Sequence, residues 1–326
     1  MNILRRQFLR ATVAIAALRT SPRFAWAQAY PTRPVRMIVP FGPGGNADVL
    51  GRIIAQKLSE RFREQFYVEN VGGAGGNIGV GRAALAPPDG YTILVTPPSY
   101  VINPALYGRV PYDARTSFDP VTLAVSTTVV LAVHPSVPAQ TLTELIALIK
   151  TDPSKYNYAT AGVGSPGHIV GEMLRQSFSL DLVHIPYDSA GLAIGSVVAG
   201  HTTICLAAPA PIVPQVQDGK LRALAVAYRT RLQALADVPT MAEVGYPDIE
   251  FDNWFGVFVP AGTRDDIIEL LNREIVASMA LADVRARLVT LGFDPVGSTP
   301  ADFRKQIDLE LEKWTKLIRT ANIKAQ

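Results

Sequence analysis

The sequence has 326 residues, of which 48% are apolar, with 31 basic and 28 acidic side chains and one cysteine, Cys205. A single cysteine excludes an internal disulfide, so the fold must depend on its apolar core, and a chain of this length usually forms two domains. Residues 1–27 contain five arginines and no acid, which leaves 26 basic and 28 acidic residues in the remainder. This near balance, without a dense basic run interleaved with aromatic residues, excludes a nucleic-acid-binding footprint.

The N-terminus has the pattern of an export signal. An Arg5-Arg6 pair opens a run that resembles a twin-arginine signal, an uncharged apolar segment follows at 11–18, and Ala25-Trp26-Ala27 matches a small-x-small cleavage site. The apolar segment is shorter than the ~20 residues that span a bilayer. We therefore predict export to the periplasm, by the twin-arginine route, with residues 1–27 as the signal; a retained N-terminal anchor is the alternative.

Beyond the signal, strand-like apolar runs alternate with helix-like patterns. The predicted strands are 36–40, 91–96, 156–161, 182–187, 221–228 and 255–259, with a β-rich run at 127–133. Helices are predicted at 48–62, where apolar residues recur at three- and four-residue spacing, at 142–149, and after two threonine caps, Thr263 and Thr299. Strands that alternate with helices predict parallel sheets in an α/β fold.

Three glycine-rich loops, each directly after a strand-like run, are the most informative feature. They lie at 40–46, 72–77 and 162–168, and the first and third open a helix. Glycine lets the backbone approach a ligand, and the free N–H groups at a helix N-terminus attract anions. In open α/β sheets such loops meet at the carboxyl ends of the strands, where ligands bind. The loops predict an anion site, although glycines that only form tight turns are the alternative.

The third loop also fits two enzyme-like patterns. Gly162, Gly164 and Gly167 form G-x-G-x-x-G, with Asp188 about 20 residues later, as in dinucleotide-binding proteins. Its position in mid-chain, the proline and histidine in the turn, and the export signal argue against a nicotinamide cofactor, so no cofactor is predicted.

The second enzyme-like pattern is a hydrolase triad. Ser165, His168 and Asp188 supply its three residue types, but Val163 stands where the G-x-S-x-G elbow needs glycine. We therefore expect a polar pocket wall and no catalytic residue, with a Ser165 hydrolase as a minor alternative.

Two other residue groups are given structural roles. The remaining histidines, at positions 134, 184 and 201, have no metal-ligand spacing to one another or to the cysteine, so no metal site is predicted. The aromatic cluster at Phe251, Trp254, Phe255 and Phe258 is interpreted as core or hinge.

The order and spacing of the motifs identify the chain as a member of the Bug family of periplasmic solute receptors, the binding components of tripartite tricarboxylate transporters. The resemblance covers about residues 30 to 325. The motifs that carry it are Ile-Val-Pro-Phe at 38–41 with Gly44, Gly45 and Asp48, the run 73–79, Pro-Asp-Gly-Tyr-Thr at 88–92, Pro-Tyr-Asp at 111–113, Gly164-Ser165 with His168, Pro186-Tyr187, Asp-Val-Pro-Thr at 237–240 with Glu243 and Gly245, Trp-Phe-Gly at 254–256, and Pro-Ala-Gly-Thr at 260–263.

The resemblance implies a type II periplasmic binding protein, in which two α/β domains joined by two crossovers close on a ligand in the cleft between them. Domain 1 would comprise residues 28–125 and 253–326, and domain 2 residues 126–252. The first and third loops, 41–48 and 160–168, would hold a ligand carboxylate through backbone amides, small hydroxyls and bridging waters. The predicted ligand-binding residues are Phe41, Gly44, Gly45, Asn46, Asp48, Thr96, Ser99, Thr160, Gly164, Ser165, His168, Tyr187 and Asp188.

The implied partners are a small organic acid and the two membrane permease subunits of the transporter, with the receptor itself a monomer. A periplasmic sensor that partners a membrane kinase is the alternative. One departure concerns the ligand, because Asp188-Ser189-Ala190-Gly191 stands where the family usually has Lys-Gly-Gly or a similar turn. The acid at 188 would repel a second ligand carboxylate or pair with a ligand ammonium or hydroxyl. Alternatively, Asp188 caps the following helix.

Overall fold

A computed structural model describes residues 30–320 of the chain, and the compact unit that contains both of its sheets begins at Arg33. The predicted export signal, residues 1–27, lies outside the described residues. Within residues 30–320, no helix combines the length and the apolar character needed to cross a membrane.

The chain first builds a mixed sheet with helices between its strands. Each of the first three strands ends in a loop that leads into a helix, and for β1 the glycine-rich loop at 40–46 predicts this. The elements in order are β1 (Val35–Val39), α1 (Asn46–Phe62), β2 (Phe66–Asn70), α2 (Asn77–Ala84), β3 (Thr92–Thr96), α3 (Ser99–Leu106) and β4 (Phe118–Ser126).

The middle of the chain repeats this alternation in a second sheet, and the last part returns to the first. The middle elements are β5 (Val130–Val133), α4 (Leu142–Thr151), β6 (Asn157–Thr160), α5 (Pro166–Phe178), β7 (Val183–Pro186), α6 (Ala190–Val198), β8 (Ile204–Ala207), α7 (Pro209–Gln217) and β9 (Arg222–Val226). The returning elements are β10 (Phe255–Pro260), α8 (Asp265–Ala280), α9 (Ala282–Thr290), β11 (Asp294–Pro295) and α10 (Pro300–Thr320).

The two sheets have matching strand orders. The six-stranded sheet runs β11-β4-β10-β3-β1-β2 and the five-stranded sheet runs β7-β6-β8-β5-β9. In each sheet the three strands of a β-α-β-α-β unit are parallel, and one antiparallel strand, β10 or β5, separates them from the next strand. We call the six-stranded sheet with its helices the first lobe, and the five-stranded sheet with its helices the second lobe.

The chain crosses between the lobes twice, after β4 and before β10, and the two crossovers lie side by side. The backbone N–H of Asn253 donates to the carbonyl of Thr127 at 3.0 Å, and the Ser126 hydroxyl donates to the Asp252 carboxylate. This is the predicted α/β architecture of two lobes and two crossovers. The domain boundaries at 125/126 and 252/253 stay predictions.

Buried apolar clusters stabilise the lobes. One of them joins the first-lobe core to the face of the second sheet that α4 and α5 cover, and Phe258, Phe303 and Trp314 are fully buried in it. Three aromatic residues of the cluster that the sequence places together, Phe251, Trp254 and Phe258, belong to this core, with exposures of 1% or less. The interpretation of these aromatic residues as core is therefore confirmed.

Two predicted helix caps are wrong. The Thr263 hydroxyl donates to the Pro260 carbonyl, and α8 begins at Asp265 without a side-chain cap. The helix after Asp188 is capped by the next residue, because the Ser189 hydroxyl accepts the N–H of Leu192 at 3.2 Å. The cap at Thr299 is confirmed, since its hydroxyl accepts the N–H of Asp302 at 3.1 Å.

Candidate functional site

A cavity lies between the lobes, next to the crossovers. It offers about 50 Å³ to the centres of water-sized molecules, which is room for a few waters or for a small ligand. The lining comes from both lobes and from the second crossover and consists of Phe41, Gly45, Asn46, Ala47, Pro97, Ala161, Ser165, Pro166, Gly167, Ala190, Leu206, Ala207, Ala208, Asn253 and Phe255.

Four helix N-termini contribute residues to the lining of this cavity. The first turn or cap residue of α1, α5, α6 and α7 supplies Asn46, Ser165, Ala190 and Ala208 respectively. The N-terminus of a helix carries a partial positive charge and N–H groups without intrahelical acceptors. Since the lining contains no lysine, arginine, histidine, aspartate or glutamate, backbone dipoles and amides set the charge preference of the cavity, and they favour an anion.

In the first loop, a side chain four residues after the glycine accepts a hydrogen bond from the glycine N–H. Gly44 has a φ of 83°, and its N–H donates to Asp48 Oδ2 at 3.1 Å. Arg52 pairs with the same carboxylate at 2.9 Å. Burial raises the pKa of Asp48, but the hydrogen bonds from Arg52 and the Gly44 amide outweigh it and hold that pKa below its usual value. Asp48 therefore shapes the loop that leads to the α1 N-terminus.

In the third loop, the glycine N–H again donates to a side chain four residues later, but here the acceptor is neutral. Gly164 has a φ of 82°, and its N–H donates to His168 Nδ1 at 3.2 Å. The Ser165 hydroxyl caps α5 by accepting the backbone N–H of His168 at 3.4 Å. Burial lowers the pKa of His168 to about 4, and burial together with the neighbouring His168 lowers that of His184 to about 3. Neither imidazole carries a positive charge near neutral pH.

Hydrogen bonds across the cleft hold the lobes closed. The Tyr107 hydroxyl of the first lobe donates to the Val163 carbonyl of the second at 2.7 Å. Asn46 Oδ1 at the start of α1 accepts the N–H of Ala210 in α7 at 3.1 Å. The structure is thus the closed arrangement of a two-lobed cleft.

The second loop meets the third at the mouth of the cleft. A Cβ on Gly75 would lie 2.0 Å from the Val163 carbonyl oxygen, so only glycine permits this approach. The mouth offers about 250 Å³ to the centres of water-sized molecules, and its walls include Phe41, Tyr187 and Asp188. The Asp188 side chain is exposed there.

The alternatives raised by the third loop find no support in this geometry. Ser165 receives a hydrogen bond from the backbone of His168, while the Nδ1 atom of that imidazole is occupied by the Gly164 amide. The approach that a pyrophosphate would need at Gly164 is taken by Asn103, whose Oδ1 lies 2.2 Å from the position of an added Cβ.

Known proteins place this architecture in one family. The sequence model described as the tripartite tricarboxylate transporter family receptor matches residues 50–323. The chain belongs to this receptor family. Two curated relatives span almost its full length. A UPF0065 protein of the tcbD-tcbE intergenic region of Pseudomonas sp. (strain P51) is 36% identical over 97% of this chain and 94% of its own. Protein BugT of Bordetella pertussis is 33% identical over 91% of this chain and 92% of its own.

Solved structures of the receptor family have the same fold. The periplasmic binding protein BugD superposes with a TM-score of 0.88 at 31% identity, over 91% of this chain and 100% of its own. A protein of R. palustris with adipate has a TM-score of 0.87 at 30% identity, over 90% and 99%. MatC of Rhodopseudomonas palustris, with bound malate, has a TM-score of 0.84 at 29% identity, over 89% and 100%. These neighbours are solute-binding proteins, and two of them hold carboxylates.

The structure brings some of the predicted ligand-binding residues to the cavity of this receptor and leaves others nearby. Phe41, Gly45, Asn46 and Ser165 line it. The others lie outside the lining and stay predictions: Gly44 and Asp48 bond to each other, Gly164 bonds to His168, Thr96 and Ser99 are buried in and after β3, the Thr160 hydroxyl contacts His184, the Tyr187 hydroxyl donates to Ser196, and Asp188 is at the mouth.

Sequence reasoning missed the contribution of the second crossover. Asn253 and Phe255 line the cavity, although Phe255 was interpreted with the core aromatics. The motif Trp-Phe-Gly at 254–256 marks the segment, but nothing local distinguishes the aromatic ring that lines the cavity from the rings that fill the core. The helix start at Ala208 was also missed, because β8 and α7 are short and are not predicted from the sequence.

Proposed function

We propose that this protein is a periplasmic receptor that captures a small organic carboxylate and delivers it to the membrane subunits of a tripartite tricarboxylate-type transporter. The observation that carries the proposal is the cavity between the closed lobes, whose lining among the described residues includes four helix N-termini and no acidic side chain. The carboxylates held by the R. palustris relatives support the ligand class. Binding is non-covalent and coupled to closure of the lobes about the two crossovers.

Calorimetric titration of the purified protein with a panel of carboxylates that includes malate and adipate tests the first half of the proposal. We expect at least one acid to bind and to raise the melting temperature, because a ligand that binds only the folded state stabilises it. Asn46→Ala removes both the Nδ2 donor at the α1 N-terminus and the Oδ1 acceptor of the bond from Ala210 across the cleft, and should weaken binding by at least about tenfold. The matched control is Asn272→Ala, whose amide bonds to Val121 and Ser298 away from the cavity.

Failure of every acid in the panel to bind would contradict the proposal, as would equal affinities of the two asparagine variants. Delivery is tested separately by uptake of the identified acid in cells. Deletion of the receptor gene should abolish high-affinity uptake, and re-expression should restore it. Unchanged uptake would overturn the transport role while leaving carboxylate capture in place.

A further inference from the structure

Two buried asparagine atoms at the cavity have no hydrogen-bond partner among residues 30–320. They are Nδ2 of Asn46 and Oδ1 of Asn253. Both residues line the cavity, and their side chains are buried, with 3% and 1% of the residue surface exposed. Leaving a buried polar group unsatisfied is costly, so a ligand that pairs with both atoms is favoured over one that pairs with neither.

The two atoms need opposite kinds of hydrogen-bond partner, because one is a donor and the other an acceptor. Asn46 Oδ1 already accepts the Ala210 N–H at 3.1 Å, which fixes the orientation of this amide and leaves Nδ2 as a donor for the ligand. A carboxylate oxygen satisfies it, beside the N-terminus of α1. In the orientation that the structure gives the Asn253 amide, Oδ1 is an acceptor, which a carboxylate cannot satisfy because an ionised carboxylate has only acceptor atoms. The ligand must therefore carry a separate donor.

The surroundings of Asn253 decide which donor fits. The cavity that Asn253 lines also has Phe255, Leu206 and Pro97 in its walls, and among the described residues no aspartate or glutamate lines it. A buried ammonium without an opposing charge is costly, whereas a neutral hydroxyl needs only one acceptor. The cavity is also small, so the hydroxyl lies within a few bonds of the carboxylate.

We propose that the ligand is a short hydroxycarboxylate, whose carboxylate bonds to Asn46 Nδ2 and whose hydroxyl donates to Asn253 Oδ1. Asn253 is then the residue that selects the hydroxyl. This inference rests on the proposed capture of a carboxylate and adds the second functional group of the ligand. It also gives a hydrogen-bond partner to a buried acceptor of the second crossover.

The test compares acids that differ only at the hydroxyl. Lactate and propionate, malate and succinate, and 3-hydroxybutyrate and butyrate are titrated into the purified protein by calorimetry. In at least one pair we expect the hydroxy acid to bind about tenfold more tightly or better. Alanine and aspartate serve as the amino counterparts and should bind more weakly than lactate and malate.

Asn253→Leu keeps the approximate size of the side chain and removes its acceptor. We expect the hydroxy acid to lose about tenfold in affinity while its deoxy partner keeps its affinity, so that the ratio within the pair approaches one. A merely structural role of Asn253 would weaken both acids together and leave the ratio unchanged. Asn272→Leu is the control and should keep the wild-type ratio.

The affinity ratios of hydroxy to deoxy acids in the wild-type protein test the proposal even if Asn253→Leu does not fold. Deoxy acids that bind as tightly as hydroxy acids would overturn the hydroxyl assignment and leave the receptor proposal standing. Amino acids that bind more tightly than their hydroxy counterparts would also overturn it. Absence of binding by every acid, adipate included, would instead overturn the proposed function and this inference with it.

Discussion

The first and third loops each fix the N–H of a glycine by a hydrogen bond, but with different side chains as acceptors. In each, a glycine with positive φ donates its N–H to a side chain four residues later, Gly44 to Asp48 and Gly164 to His168. Each pair fixes the loop just before a helix N-terminus that lines the cavity. One acceptor is an ionised carboxylate that pairs with Arg52, and the other is a neutral buried imidazole. Equal backbone geometry therefore does not require equal charge.

The two glycines also differ in the space around them. A Cβ at Gly44 would meet no heavy atom within 4 Å, whereas one at Gly164 would lie 2.2 Å from Asn103 Oδ1 of the other lobe. Asn103 cannot swing away freely, because its Nδ2 donates to Gly75 and Asn77 in a buried network. The first glycine serves backbone conformation alone, and the second also serves closure of the cleft.

The largest expected effect comes from alanine at the two glycines. Gly44→Ala and Gly164→Ala should distinguish the role in backbone conformation from the role in cleft closure. Both substitutions strain a positive-φ backbone, which costs about 1–2 kcal/mol. Gly164→Ala adds the collision with Asn103, so we expect a ligand affinity reduced by about 100-fold, measured by calorimetry. Gly44→Ala is the matched control and should lower the melting temperature without a comparable loss of affinity. Similar ligand affinities of the two variants would contradict the separate role of Gly164 in closure of the cleft.

The two acceptors, His168 and Asp48, should contribute to stability over different pH ranges. The folded pKa of His168, about 4, lies below its ordinary 6.5, so the unfolded chain takes up a proton first as the pH falls. Stability from this group is complete above pH 6.5 and is lost towards pH 4, with a slope of at most about 1.4 kcal/mol per pH unit. His168→Asn keeps an acceptor for the Gly164 amide and should roughly halve the slope of urea-unfolding stability over that window, because His184, whose pKa is about 3, contributes a similar slope.

Asp48→Asn is the counterpart for the first loop. The lowered pKa of Asp48 means that its contribution is present above its ordinary 3.8 and is lost only as the pH falls below that value. This variant should therefore keep the wild-type slope between pH 6.5 and 4. A flattened slope in Asp48→Asn, or an unchanged one in His168→Asn, would contradict the assignment of charges to the two loops.

A smaller effect is expected from the hydrogen bond that joins the end of α3 to the third loop. Tyr107→Phe removes the bond from its hydroxyl to the Val163 carbonyl and should weaken ligand binding about fivefold, since such a bond contributes about 1 kcal/mol. The control is Tyr112→Phe, whose hydroxyl donates to the Tyr100 carbonyl within the first lobe. It should reduce stability but leave affinity nearly unchanged, and the reverse pattern would exclude this contact as a closure contact.

The smallest effect concerns the loop after β7. Ser189→Ala removes the observed cap of α6 and should cost about 1 kcal/mol of stability. Asp188→Ala changes an exposed side chain and should stay within about 0.5 kcal/mol. Chemical denaturation of both variants checks this, and a larger loss in Asp188→Ala would restore the capping role that the sequence suggested for it.

The alternation of strands and helices follows from local signals and could be predicted. The helix at 48–62 is observed at Asn46–Phe62, and the strand at 36–40 at Val35–Val39. The β-rich run at 127–133 hides a crossover, because β4 ends at Ser126 and β5 begins at Val130. β-branched residues favour extended backbone whether or not it pairs, so the break between lobes leaves no local mark.

The site was predictable only where it follows from loop chemistry. Glycine loops before helices mark Gly45, Asn46 and Ser165, which do line the cavity. Asn253 reaches the cavity because its crossover pairs with Thr127, far away in sequence. Whether an amide faces a cavity or its own lobe depends on such long-range pairing, and the same holds for the cap that falls on Ser189 and not on Asp188.

The most direct test is a crystal structure of the protein with the carboxylate that binds it most tightly. The account predicts the carboxylate in the cavity between the lobes, with an oxygen about 3 Å from Asn46 Nδ2 and beside the N–H groups that open α1. A ligand ordered elsewhere, or one whose carboxylate points away from the helix N-termini, would contradict it.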